Sequence, residues 1–242
     1  KGKYIAECEG DDYWTDPLKL QKQIDFLESN PDYVLCSHKV NILENGKLKE
    51  DDIIHLPDNY ENIDTLAKHG NYIHTVSVVF RNVFHQFPFE YSITPLGDYY
   101  LYLLLAEQGK IKHLNDAMAV YRLNSGIWSE KSNYYRNFKT ALTHALLYKY
   151  FNKKNNTVIA SILLERIQSF IETFSTEINE EEIEELIDFL TEEQNNTELK
   201  GIKSILFTLH KSLLPARSIQ NIGTKQLLKI IFSRIKQKLI SL

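Results

Sequence analysis

The sequence is sparing with residues that staple, anchor or punctuate a chain. Only two cysteines, Cys8 and Cys36, occur in 242 residues, too few for a disulfide framework. Both stand in apolar runs and are expected as buried free thiols, which suits a reducing compartment. No apolar run approaches the roughly 18 residues a membrane-spanning helix needs, and no signal peptide is recognisable. Basic residues are not in excess: the formal net charge of −4 lacks the footprint of a general nucleic-acid binder, and no nucleic-acid partner is expected. No Gly-rich loop with basic residues is present, so a sugar-phosphate nucleotidyltransferase finds no phosphate cradle here. The chain does not open on Met. Lys1-Gly2-Lys3 leads directly into a β-like run, so its true beginning is expected elsewhere.

What is present is a globular composition, 43% hydrophobic and 25% charged, long enough for one large domain or a domain with an appendage. Residues 1 to 129 mix strand and helix signals. Tyr4–Cys8 is β-like, and Asp16-Pro17 opens a helix that Asn30-Pro31-Asp32 ends. Val34–Leu43 reads as one strand with a turn at Glu44-Asn45-Gly46. Thr75–Phe80 reads as another. A helix is expected over Tyr99–Gln108, closed by Gly109, and one or two strands within "IKHLNDAMAVYR".

Beyond Ser129 the character changes. From Lys131 onward there are two glycines and one proline, and helical periodicity takes over. Helices are predicted over 133–151, 157–174, 179–193, 198–213 and 224–242. The third has an Asn N-cap and an acidic, solvated face. The last is basic and amphipathic. It fits a terminal helix packed on the bundle or one lying at a membrane surface.

One stretch carries chemistry. In "YIAECEGDDYWTDP" a β-like run ends in Glu9, Asp11 and Asp12. Carboxylates at a strand's C-terminal end occupy the ligand-binding edge of an α/β sheet. Oxygen ligands at this density suit a hard cation, Mn²⁺ or Mg²⁺. A turn followed by a helix start accounts for the same acids equally well.

"EGDDYWTDPLKLQKQIDFLESNPDY" resembles the acidic-motif region of family 2 glycosyltransferases, which have the GT-A fold. "HTVSVVFRNVF" and "LGDYYLYLLLAEQGKIKHLNDAMAVYRLNSGIWS" follow in the family's order, so the resemblance covers roughly residues 3 to 129. It implies a partial GT-A (Rossmann-like) α/β domain over 1–129 and an all-α region over 130–242. It also implies a base-binding N-terminal half preceding the acidic motif. The implied activity is inverting transfer of a sugar from a nucleotide-sugar donor to a glycan or lipid-linked acceptor. By the same resemblance Asp98 is the catalytic base, Asp11 and Asp12 hold the metal, and Glu9, Asp11 and Arg122 contact the donor. The family usually has Asp where Glu9 stands, and often His where Asn124 stands. Trp14 and Trp128 are candidates for stacking on a sugar or base, and His38, His74 and His113 are read as structural. The implied setting is bacterial polysaccharide or glycoconjugate synthesis in the cytoplasm, at the inner membrane face through the C-terminal helix, with a homo-oligomer possible. A non-catalytic sugar- or nucleotide-binding assembly module is the alternative.

Overall fold

A computed structural model describes residues 2–124, 127–172 and 179–194, together with Ile205 and Leu209. The helices expected over 198–213 and 224–242 otherwise lie outside the described residues, the basic amphipathic segment included. In chain order the elements are β1 (Tyr4–Ala6), β2 (Tyr13–Trp14), α1 (Lys19–Ser29), β3 (Tyr33–His38), β4 (Asn41–Glu44), β5 (Lys47–Glu50) and α2 (Ile63–His69). Then come β6 (Val79–Arg81), α3 (Phe89–Ser92), α4 (Gly97–Ala106), β7 (Lys110–Leu114), β8 (Ala119–Arg122), α5 (Ile127–Glu130), α6 (Asn133–Lys153), α7 (Thr157–Glu172) and α8 (Glu180–Gln194). No helix among the described residues is long and apolar enough to cross a membrane.

Two mixed four-stranded sheets make this an α/β fold. The first runs β1-β6-β3-β7 and the second β2-β8-β4-β5. In the first, β6 is antiparallel to β1 and β3, and β3 is parallel to β7. Strands β1, β3 and β7 therefore point the same way and end on one common edge. Each then hands the chain into the second sheet: β1 to β2, β3 to β4, β7 to β8. Strand β1 borders the first sheet, with no strand on its outer side among the described residues.

The crossings correct two expectations. Val34–Leu43 is two strands in different sheets, because the chain turns at Lys39. There Lys39 N–H donates to Leu114 O, and Met118 N–H donates to Lys39 O. Apolar residues are demanded on both sides of the crossing, with Leu35 and Cys36 buried in one sheet and Ile42 in the other. Periodicity therefore runs through it unbroken. Likewise Thr75–Ser77 is a 3-10 turn, and the strand begins only at Val79. Cys36 is a buried thiol as expected, but Cys8 is exposed, because β1 has already ended at Ala6.

The turn at Asn45-Gly46 has φ of 50° and 75°, the left-handed pair that closes a tight hairpin. Asp16 starts α1 by accepting Leu18 N–H on Oδ1 at 2.8 Å. Buried Gln23 of α1 then clamps the sheet, its Nε2 donating to Cys36 O (2.6 Å) and Ser77 O (2.8 Å). Gly109 follows α4, but its value lies in close approach rather than a left-handed cap. A Cβ there would meet Asp32 O at 2.8 Å.

Helix α4 is the centre of the core. Every residue from Tyr99 to Ala106 is buried. A helix apolar on all sides must be enclosed on all sides. Strand β3 and α2 pack against it, and α6 reaches it through Tyr99 Oη to His144 Nε2 at 3.4 Å. The helices after residue 130 share this core, with Phe138, Leu142, Leu163 and Ile183 in the same cluster. Asn179 Oδ1 accepts Glu182 N–H at 2.9 Å, the cap expected for α8. Its acidic face is not wholly solvated, however. Glu182 is buried and accepts from Ser132 N–H (2.9 Å) and Oγ (2.6 Å).

Leu103→Ala is expected to cost roughly 2–5 kcal/mol in urea unfolding, because the surrounding helices leave no room for collapse. Burial also holds the imidazoles of His38 and His113 down to about 4, and that of His144 to about 3. Unfolded, each takes up a proton near pH 6.5; folded, each stays neutral until far lower pH. The unfolded chain therefore binds more protons in that window, and stability falls as pH drops below about 6.5. The melting temperature should fall from pH 6.5 toward 4.5, and less steeply in His144→Gln.

Candidate functional site

The first crossing, from β1 to β2, holds the acids. Asp12 N–H donates to Glu9 O at 3.2 Å, closing a turn that gathers the side chains of the segment. One carboxylate oxygen from each of Glu9, Asp11 and Asp12 lies within 4.8 Å of the others. Asp12 is only 8% exposed. Its Oδ1 accepts Arg122 N–H of β8 at 2.8 Å, which fixes the side chain across the sheet. Its Oδ2 is buried with no hydrogen-bond partner among the described residues.

The electrostatics follow from this crowding. Burial, then the charges of Asp12, Asp98, Asp11 and Glu7, raise the Glu9 carboxyl to about 7. Burial also raises Asp12, against the opposing hydrogen bond from Arg122 N–H. A site where carboxylates raise one another is short of positive charge. The donor set suits a hard cation: three carboxylates, all oxygen, one with an unused buried lone pair. Glu9, Asp11 and Asp12 could hold one. Among the described residues, no other such group of three metal-ligating side chains comes together.

Asp98 does not cap α4, whose preceding residue is Leu96. It sits in the first turn, where the helix dipole favours a carboxylate. Its Oδ2 accepts Asn71 Nδ2 at 2.9 Å. Burial raises this carboxyl as well, and its charge bears on Glu9 and Glu7. The Arg122 guanidinium lies 5.5 Å from the Tyr13 ring centroid. All five residues singled out from sequence thus fall in one neighbourhood, at the C-terminal end of β1.

Other expectations resolve differently. Trp14 is tied down by Nε1 donating to Val76 O at 3.1 Å, and the Lys19 ammonium lies 4.4 Å from its ring centroid. Burial lowers that ammonium to about 8. Trp128 is exposed, with its ring 6.4 Å from that of Tyr135. Asn124 has φ 63°, so it serves the turn after β8.

Sequence reasoning passed over two groups. Glu7 follows directly on β1, two residues before Glu9, and its Oε2 accepts the Tyr102 hydroxyl at 3.0 Å. The "ECE" alternation was the available signal. The second is Asp51, whose Oδ2 pairs at 2.9 Å with Nε2 of His74, itself read from sequence as structural. The His74 ring lies 4.6 Å from that of Tyr121, beside Arg122. No local pattern joins positions 51, 74 and 121.

No protein-family model matches the chain. Over 148 residues it is 36% identical to an uncharacterized protein of Mycobacterium tuberculosis, and equally so to one of Mycobacterium bovis. The matched stretch is 60% of this chain but 42% of each relative, so the chain spans less than half the length of the curated relatives it matches.

Proposed function

We propose that the chain is part of a metal-assisted inverting glycosyltransferase that moves a sugar from a nucleotide-diphosphate donor to an acceptor hydroxyl. The observation that carries the reading is the convergence of Glu9, Asp11 and Asp12 around the unpartnered Asp12 Oδ2, with Asp98 on the facing helix start. The ordered family resemblance over residues 3 to 129 supports it. We place the reaction in the cytoplasm of a bacterium, peripheral at the membrane's inner face.

The residues divide the labour. Asp98 takes the acceptor's proton as the acceptor oxygen bonds to the anomeric carbon, while the bond from that carbon to the diphosphate oxygen breaks on the opposite face. Asn71 orients the Asp98 carboxyl for this. Asp11 and Asp12, with Glu9, would hold Mn²⁺ or Mg²⁺, which supplies neutralisation for the charge gathering on the leaving diphosphate. Arg122 offers the same diphosphate a guanidinium fork.

Titration calorimetry with Mn²⁺ should detect binding that Asp11→Ala and Asp12→Ala abolish. Affinity should rise as pH passes through about 7, where Glu9 loses its proton, and this rise should vanish in Glu9→Gln. Binding indifferent to all three changes would count against the metal site. In a transfer assay with nucleotide sugars, Asp98→Ala should keep donor binding and lose turnover by roughly 10²–10⁴-fold. Donor binding without transfer in the unaltered protein favours the non-catalytic binding module instead.

A further inference from the structure

The other two crossings, β3 to β4 and β7 to β8, enclose a cavity of about 570 Å³ away from the carboxylate turn. That lies within the ~300–1,000 Å³ range of small-molecule sites. Its wall divides into three kinds of surface. Ile54, Leu56 and Tyr72 supply apolar area. Asp51 and His74 are spent on structure: Asp51 Oδ1 accepts Ile53 N–H and Ile54 N–H, and Oδ2 meets His74. The remaining polar groups are uncommitted. Among the described residues, the side chains of Asn41, Glu50, His55 and Asn115 have no hydrogen-bond or ion-pair partner, and His113 uses only Nδ1, to Ser37 Oγ at 3.0 Å.

This inventory selects a ligand class. Burial keeps His113 neutral, so it offers a donor or an acceptor without charge. Lys39 and Glu50 carry opposite charges, so the lining favours no strongly ionic ligand. A divalent cation is poorly served, since no three metal-ligating side chains converge there. A phosphate would find a single lysine, Lys39, against the carboxylates of Glu50 and Asp51. Hydroxyl groups both donate and accept, and amides, a neutral imidazole and a carboxylate on an apolar floor match that pattern.

We propose that this cavity is a binding site for a neutral saccharide, separate from the acidic centre and independent of metal. The inference goes beyond the transferase reading and does not depend on it, because none of the carboxylates of the first crossing lines the cavity. His74 of the cavity wall has its ring 4.6 Å from that of Tyr121, which stands beside Arg122.

Saturation-transfer NMR with D-glucose, D-galactose and N-acetyl-D-glucosamine, in buffer containing a chelator, tests it directly. At least one saccharide should receive saturation and shift the imidazole resonances of His113 and His55. Ala117→Trp, which fills the cavity from its exposed rim, should weaken binding by about tenfold or more. Asn115→Leu, which deletes an uncommitted amide at an exposed position, should also weaken it and decides the matter if the Trp variant fails to fold. Asp11→Asn should leave binding unchanged. No saturation for any of the three sugars overturns the proposal, as does binding that survives both cavity variants. Binding that needs Mn²⁺ and disappears in Asp11→Asn would place the sugar at the acidic centre and overturn it equally. Failure of nucleotide-sugar binding at the carboxylates would leave this result intact, so the two readings fail separately.

Discussion

The complete enclosure of α4 is the constraint on which the rest depends. With Tyr99 to Ala106 all buried, the helix cannot rotate or slide without opening voids in the core. Asp98 stands one residue before this buried run, so packing sets its backbone position while Asn71 Nδ2 holds its carboxyl. The helices after residue 130 matter to the site for the same reason. His144 of α6 touches Tyr99, and Tyr150 lies against Tyr100, so the C-terminal half closes the side of α4 that the sheet leaves open. Burial raises the Asp98 carboxyl, so its ionised form costs stability that the dipole of the helical first turn offsets only in part.

The acidic turn carries a cost as well. Burial, and then the charges of Asp12, Asp98 and Asp11, raise Glu9 above its ordinary range. A hydrogen bond from Arg122 N–H ties Asp12 to the second sheet, and its buried Oδ2 has no hydrogen-bond partner among the described residues. Buried polar atoms without partners are uncommon in folded proteins and cost stability. A cost of this kind, concentrated on three residues at the edge where α/β sheets bind ligands, is what separates this turn from an ordinary helix start.

Much of this was legible from the residues. The acid cluster, the start of α1 at Asp16, the hairpin at Asn45-Gly46 and the long helices after residue 130 each announce themselves locally. What stayed hidden was everything fixed by pairing at a distance. Whether Val34–Leu43 is one strand or two depends on Lys39 bonding to Leu114 and Met118, some eighty residues away. The Cys8 thiol is exposed only because β1 stops short of it. Glu182 looks like one of a run of solvated acids until Ser132 is seen opposite it. The pairing of His74 with Asp51 has no sequence period at all.

The three crossings explain why one edge can carry two unlike surfaces. Strands β1, β3 and β7 all end there, and each must leave the first sheet through a connection too short to hold a core of its own. Those connections are free to vary in charge without disturbing the strands. The first holds three carboxylates; the other two border a cavity lined by Lys39, Glu50 and Asp51 as well as by amides, imidazoles and apolar side chains. One contact between them is that of the His74 and Tyr121 rings, 4.6 Å apart. The Tyr121 hydroxyl is held up by burial and by the charges of Asp12, Glu9, Asp11 and Asp98, while His74 is fixed from the other side by Asp51. A change of charge at the carboxylates is therefore felt at Tyr121 and at His74, whose charge bears directly on Asp12. Asp51, already bonded to two backbone N–H groups, keeps His74 from turning in response.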